Sequence, residues 1–164
     1  HQAIPIKHCG IADALINKVL KELPPCPFPL QSIELRSNGE KVIAQLNSTK
    51  RHPIAHKKAL AWLSPYIDAF CIDKHMARSK HAHLDFQVAG VHHRFHAQSF
   101  FQVNSEVNEL LVQHIVKEVT ALQPKHILDV YAGAGNIALA LAKAPPHEQR
   151  TFWPYSLFHY YPIR

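Results

Sequence analysis

Cysteine is scarce in this sequence. Cys9, Cys26 and Cys71 are three among 164 residues, far apart and odd in number. That excludes a disulfide framework and makes a reducing, cytoplasmic compartment the default. Long apolar runs are missing as well: no stretch approaches the ~20 apolar residues of a membrane span, so no membrane association is expected. The first residues, His1 to His8, lack the basic start and apolar run of a secretory signal. Nor does the chain begin with Met, and the expectation is a piece cut from a longer protein. Charged residues are only 18% of the chain, too few for a disordered tail. Internal repeats and low-complexity segments are absent.

Apolar residues make up 47%, enough for a buried core, and the length suits one ordinary domain or two small ones. The net charge of +6 is compatible with a polyanion such as RNA and equally with an ordinary basic protein. Fourteen histidines would add positive charge as pH falls through about 6.5.

Residues 11–23 predict an amphipathic helix with Ile11, Leu15, Ile16, Val19, Leu20 and Leu23 on one face. Prolines at Pro24, Pro25, Pro27 and Pro29 end it. Ser32 to Arg36 and Lys41 to Asn47 alternate apolar and polar around Asn38-Gly39, a hairpin signal because both central turn residues must tolerate positive φ. Pro53 to Leu63 reads as a second helix, with Ala59, Leu60 and Leu63 inward, and Ile67 to Ile72 as a short strand. Leu84 to Val88 and Val91 to Phe95 form a second hairpin around Ala89-Gly90. Residues 1–97 are therefore expected to be an α+β middle domain, helices packed on a mostly antiparallel sheet. The pattern changes near Ser99. Ser105 to Val119 predicts a helix with Val107, Leu110, Leu111, His114, Ile115 and Glu118 in successive turns. Ile127 to Val130 is a strand, Tyr131 to Asn136 a small-residue turn, and Ile137 to Lys143 a helix stopped by Pro145-Pro146.

The turn carries the most chemistry. In Ile127-Leu128-Asp129-Val130-Tyr131-Ala132-Gly133-Ala134-Gly135-Asn136, a buried strand leads into glycines that let backbone approach a ligand closely. The amides of the helix that follows favour polar or anionic groups. Asp129 lies at the carboxyl end of the strand, where ligands bind in open α/β sheets. Ala138 replaces the third glycine of a dinucleotide fingerprint, which favours an adenosylmethionine site over one with a pyrophosphate cradle. The bland alternative is a strand–turn–helix whose glycines serve packing alone. A second run, His96-Ala97-Gln98-Ser99-Phe100-Phe101-Gln102-Val103-Asn104, is a loop of paired aromatics and amides; its bland reading is a hydrophobic staple at a helix entry.

Together the two runs resemble the RNA uracil-5-methyltransferase family, which acts on tRNA and rRNA. There a Ser-Phe-x-Gln-x-Asn segment precedes a helix, and a strand then leads into Asp-x-Tyr/Phe-x-Gly-x-Gly-Asn-Phe. The resemblance covers roughly residues 5–144. It implies the first part of a Rossmann-like class I methyltransferase domain over residues 98–144, hence an α/β protein overall, with 145–164 an atypical tail. It also implies S-adenosylmethionine as cofactor, RNA as partner and a monomeric state. Gln102 matches a family cofactor contact, Tyr131 and Asn136 match positions lining the cofactor pocket, and Asp129, Gly133 and Gly135 match the turn. Ala132 stands where the family usually has Cys, and Ile137 where it has Phe.

Some members of the family hold a four-iron, four-sulfur cluster, and Cys9 sits where the last of its cysteines begins a helix. The other three would lie before His1, so a cluster is implied for a full-length parent only. In the family a cysteine thiolate adds to C6 of uracil and a general base removes the C5 proton. Both residues come late in the domain, whereas only 29 residues follow Gly135 here (164 − 135). No cysteine follows Cys71, and no acid is found ~20 residues beyond the turn to bind a ribose; Glu148 is too close. Cys26 and Cys71 read as structural. Residues 151–164 form neither a helical face nor a clean strand, as though the reading leaves the family's frame near Ala144.

The sequence therefore predicts no catalytic residue and an inactive, incomplete fragment. A non-catalytic RNA-binding module and a non-functional remnant with a bare apolar face are the alternatives. His75, His81, His83, His92, His93 and His96 crowd one hairpin, but no HExxH motif or cysteine pair supports a metal site. Solvated or RNA-facing histidines are expected.

Overall fold

The computed structural model describes residues 6–73, 82–145 and 151–155. The elements run α1 (Ala14–Glu22), β1 (Ser32–Ser37), β2 (Val42–Asn47), α2 (His56–Leu63), β3 (Ala69–Ile72), β4 (His83–Val88), β5 (Val91–His96), α3 (Ser105–Leu122), β6 (His126–Val130), α4 (Ala138–Lys143) and β7 (Thr151–Tyr155). The protein is mixed α/β. It divides into two compact units, His1–Leu84 with His96–Gln98, and Asp85–Phe95 with Ser99–Arg164.

In the first unit, α1 starts at Ala14 rather than Ile11. The Asp13 carboxylate accepts the Ile16 N–H at 2.9 Å and caps the helix there. Ile11 is left outside, 98% exposed. Asn17 fastens the segment ahead of the helix, accepting from the Cys9 N–H at 2.7 Å and donating to the Cys9 carbonyl at 3.0 Å. The first hairpin is present, but its turn differs from the expected one. Gly39 alone takes a positive φ. Asn38 instead uses its side-chain oxygen, which accepts from the backbone of Glu40 and Lys41 at 3.1 and 2.9 Å. This is the local bonding that suits Asn to turns.

The sheet has the order β1-β2-β3, and β3 pairs parallel to β2. A parallel pair needs a crossover, and α2 supplies it. The sheet is therefore mixed, its longer pair, β1–β2, being antiparallel as a mostly antiparallel sheet requires. In α2, Ala59, Trp62 and Leu63 are buried while Leu60 faces out, a correction of one helical position. These side chains join Val42, Ala44, Leu46, Ile67 and Phe70 in the core. The indole of Trp62 donates to the Pro24 carbonyl at 3.0 Å, fixing the proline segment against α2.

Most of the second hairpin packs in the second unit. Its tip, Ala89 (φ 48°) and Gly90 (φ 72°), has both residues in the left-handed region, as a two-residue turn requires. The tip is clipped from two sides: Glu109 of α3 accepts the Ala89 N–H at 2.7 Å, and Lys143 of α4 donates to the Gly90 carbonyl at 2.6 Å. Phe95 and Phe101 stack at 5.2 Å, and Phe86 packs tilted against both at 5.7 and 5.0 Å. Val88 packs with Val112 and Ala140.

Asn104 caps α3, accepting from Val107 N–H at 3.0 Å. The buried residues of this helix are Asn108 and Val112, whereas Val107, Leu110 and Leu111, spaced in successive turns, are exposed. The tail also corrects the sequence reading. Thr151–Tyr155 is a strand, paired in parallel with β6 in the register His126↔Thr151 to Val130↔Tyr155. β6, α4 and β7 thus complete a βαβ unit.

Candidate functional site

The strand β6 ends at Val130 and the chain turns sharply. Tyr131 (φ 63°), Gly133 (φ 57°) and Gly135 (φ 81°) all adopt the left-handed region. Two glycines take it without cost, but Tyr131 carries a side chain into a conformation that few non-glycine residues hold. Such outliers cluster at ligand clamps and active sites. The Gly135 N–H closes the turn on the Ala132 carbonyl at 2.8 Å. A side chain at Gly135 would meet Leu139 at 3.1 Å, so close packing of the turn on α4 needs glycine in addition to its φ.

The expected site residues divide into two groups. Asp129 and Asn136 are half-buried and occupied by the protein itself. Burial raises the Asp129 carboxyl above its usual range, and a hydrogen bond from the backbone of Ala138 pulls it partly back. Asp129 therefore serves the first residue of α4, whose Ile137 cap offers no side-chain bond. Asn136 is locked in a reciprocal amide pair with the buried Asn108: Asn108 Nδ2 donates to Asn136 Oδ1 at 3.1 Å, and Asn136 Nδ2 donates to Asn108 Oδ1 at 2.8 Å. The pair bolts the turn to α3. Tyr131, Gly133 and Gln102 form the other group. All three are exposed, with Tyr131 at 68%.

Asn108 is the residue that sequence reasoning misses. Its signal is an amide one helical turn after the Asn104 cap, on a helix otherwise apolar at that spacing. The glycine turn is easier to see than its anchor, because partner and turn lie 28 residues apart.

Among the described residues the histidines do not gather around a common point, and no three metal-ligating side chains come together; His75 and His81 lie outside the described residues. His83 and His96 meet edge to face at 5.1 Å. His92 lies 3.4 Å from Asp85, which also accepts from Arg94 at 2.8 Å. His93 departs from the solvated role expected for it: it is buried, stacked on Phe95 at 5.4 Å, and its Nε2 has no hydrogen-bond partner. Burial, followed by the neighbouring His92, pushes its pKa below 6.5. Cys71 is buried on β3, and burial pushes its thiol up to about 11. Cys26 Sγ lies 3.2 Å from the Phe28 carbonyl.

The glycine turn thus lies at the carboxyl end of β6, between the two parallel strands β6 and β7 and just ahead of α4. Residues 71–147 match the model of the tRNA (Uracil-5-)-methyltransferase family. That span holds β4 through α4 and both motifs. Among curated proteins, the chain is 24% identical over 157 residues to the 23S rRNA (uracil(1939)-C(5))-methyltransferase RlmD of Yersinia enterocolitica, covering 87% of this chain and 34% of that protein. It is 26% identical over 150 residues to the enzyme of the same name from Dichelobacter nodosus, covering 87% and 35%. A shorter match, 36% over 62 residues, links it to the same-named enzyme of Vibrio parahaemolyticus, covering 38% and 14%. The chain thus spans about a third of the length of the first two relatives. Among solved structures, a Pyrococcus abyssi tRNA (uracil-54, C5)-methyltransferase in complex with S-adenosyl-L-homocysteine aligns with a TM-score of 0.48 and 19% identity, over 69% of this chain and 30% of that one.

Proposed function

We propose that this chain is the central part of an S-adenosylmethionine-dependent enzyme that methylates C5 of uridine in RNA, tRNA or rRNA. The observation that carries the reading is the turn Tyr131–Asn136, strained at a non-glycine residue and set at the carboxyl end of a parallel strand. The family match over 71–147 supports it.

The residues fit such a cofactor. Gly133 keeps backbone open to close approach, since a side chain there would meet nothing nearer than 3.9 Å. The exposed Tyr131 ring and Gln102 amide are free to face an adenosyl or amino-acid group. Asp129 and Asn136 shape the turn from behind, through Ala138 and Asn108. When bound, the cofactor supplies an electrophilic methyl sulfonium. The uridine must be activated by a thiolate and relieved of its C5 proton by a base. Cys71 is unsuited to that task, because a thiol held near pKa 11 is almost wholly protonated at neutral pH. The 164-residue chain alone is therefore expected to be inactive, with a cytoplasmic, monomeric parent supplying the remaining machinery.

Calorimetric titration with S-adenosylhomocysteine tests the reading. Weak binding that is lost in Gly133→Val supports it. Binding that is absent, or unchanged in Gly133→Val, removes the glycine turn as the cofactor site. Incubation with labelled S-adenosylmethionine and RNA should yield no 5-methyluridine; product formation would overturn the assignment of an inactive piece.

A further inference from the structure

From the loop after β2 through the first turn of α2, the chain places six basic side chains in nine residues, with no acid among them: Lys50, Arg51, His52, His56, Lys57 and Lys58. All six are exposed. The ion pairs among the described residues join Arg36 to Glu34, and His92 and Arg94 to Asp85, so none of the six is held in one. Lys50, Arg51, Lys57 and Lys58 carry +4 of charge in a chain whose net is +6.

A basic run is most often only a solvated face. Two features set this one apart. The first is that its backbone is fixed. Ser48 is a hub: its N–H and hydroxyl both donate to the Asp73 carboxylate at 2.7 Å, and its oxygen accepts from the Ile54 N–H at 3.2 Å. Thr49 and His52 bridge, with the His52 N–H on the Thr49 carbonyl at 3.1 Å, and Ile54 is buried in the core. The cations are thus displayed from a pinned loop. The second is their position. His56, Lys57 and Lys58 are the first turn of α2, which holds no acid, and its Ala55 cap makes no side-chain bond. Positive charge at a helix N-terminus opposes the helix dipole, and the amides ahead of Lys58, whose own N–H bonds the Ala55 carbonyl at 3.0 Å, lack intrahelical partners. Both penalties disappear when an anion sits against the turn.

We infer that Lys50–Lys58 forms a docking ledge for the phosphate backbone of RNA. This rests on the RNA reading proposed above and assigns it a surface on the first unit. The ledge offers charge and amides rather than shaped base pockets, so it positions the RNA and does not read its sequence.

The test is fluorescence anisotropy of the full chain with a labelled uridine-containing RNA hairpin, at several salt concentrations. Replacing Lys50, Arg51, Lys57 and Lys58 by Ala should weaken binding at least tenfold. The salt slope should fall by about 0.7–0.9 for each phosphate that is no longer neutralised. The control replaces four exposed lysines elsewhere, Lys18, Lys21, Lys117 and Lys125, by Ala and should leave the slope nearly unchanged. Lys57→Glu/Lys58→Glu covers the case in which the alanine variant folds poorly. Anions suit a helix N-terminus, so this variant should melt at a higher temperature while binding RNA more weakly. Opposite signs of the two effects support a ligand role. Equal losses in ledge and control variants overturn the ledge, since net charge then suffices. RNA binding by the wild type that the ledge variants leave intact also overturns it, while sparing the RNA reading. No RNA binding by the wild type overturns both. Binding to phosphatidylserine vesicles that depends on the ledge, with RNA binding independent of it, assigns the surface to lipid and overturns the proposal.

Discussion

Gly135 combines a φ of 81° with a neighbouring side chain 3.1 Å from where any Cβ would sit. Gly135→Ala should therefore destabilise the second unit by about 1–2 kcal/mol, read as a lowered denaturant midpoint at unchanged m-value. His93 gives a pH prediction. Its folded pKa lies below 6.5, so as pH falls the unfolded chain takes up the proton first. Stability is then full above about pH 6.5 and declines as pH drops from there toward the lowered folded value. His93→Phe, which suits a buried site stacked on Phe95, should flatten that decline in melts from pH 7.5 to 5. Asp129 acts in the opposite sense at lower pH. Its folded pKa is raised above 3.8, so the folded state takes up the proton first and this group's cost falls as the solution is acidified.

At the scale of elements, the Asn108–Asn136 pair joins α3 to the turn. Asn108→Ala leaves the Asn136 amide half-buried and unpaired, and should cost about 1–3 kcal/mol in chemical denaturation. A value near zero would mean that the turn holds its shape unaided. The elements themselves are largely legible in the sequence: the Ala89-Gly90 tip, the α3 helix and the β6–turn–α4 sequence stand where local patterning puts them. What is illegible is what depends on distant partners. The buried face of α3 departs from its apolar pattern: Asn108 and Val112 are inward while Leu110 and Leu111 face out. Which pair of the sheet is parallel could not be read locally, because period-two alternation says nothing about strand direction. β7 is obscured in the sequence because Pro154 interrupts a run of otherwise β-prone threonine and aromatic residues. The glycines of the candidate site are plain in the sequence, while Asn108 behind them is not.

Over the whole molecule, exposed apolar side chains concentrate in the second unit. Phe100, Val103, Val107, Leu110, Leu128 and Val130 are all more than half exposed. Scattered apolar surface is ordinary, but this much on one small unit marks a contact surface or an aggregation hazard. Leu110→Gln with Leu128→Thr should reduce anilinonaphthalene sulfonate fluorescence and concentration-dependent association, and should shift stability by less than about 0.5 kcal/mol. No helix among the described residues is long and apolar enough to cross a membrane. The clipped hairpin tip also bears on how the chain assembles in time. A two-residue hairpin closes in about 1–10 μs, and helix formation is faster still. The β4–β5 hairpin and α3 precede the glycine turn in the chain, so during vectorial synthesis they can dock through Ala89 and Glu109 before Gly133 emerges. The turn then meets a platform already built, with Asn108 waiting for Asn136, and only the Lys143 clasp on Gly90 must close last. Pulse-labelled hydrogen exchange during refolding should accordingly protect the Ala89 amide before that of Gly135.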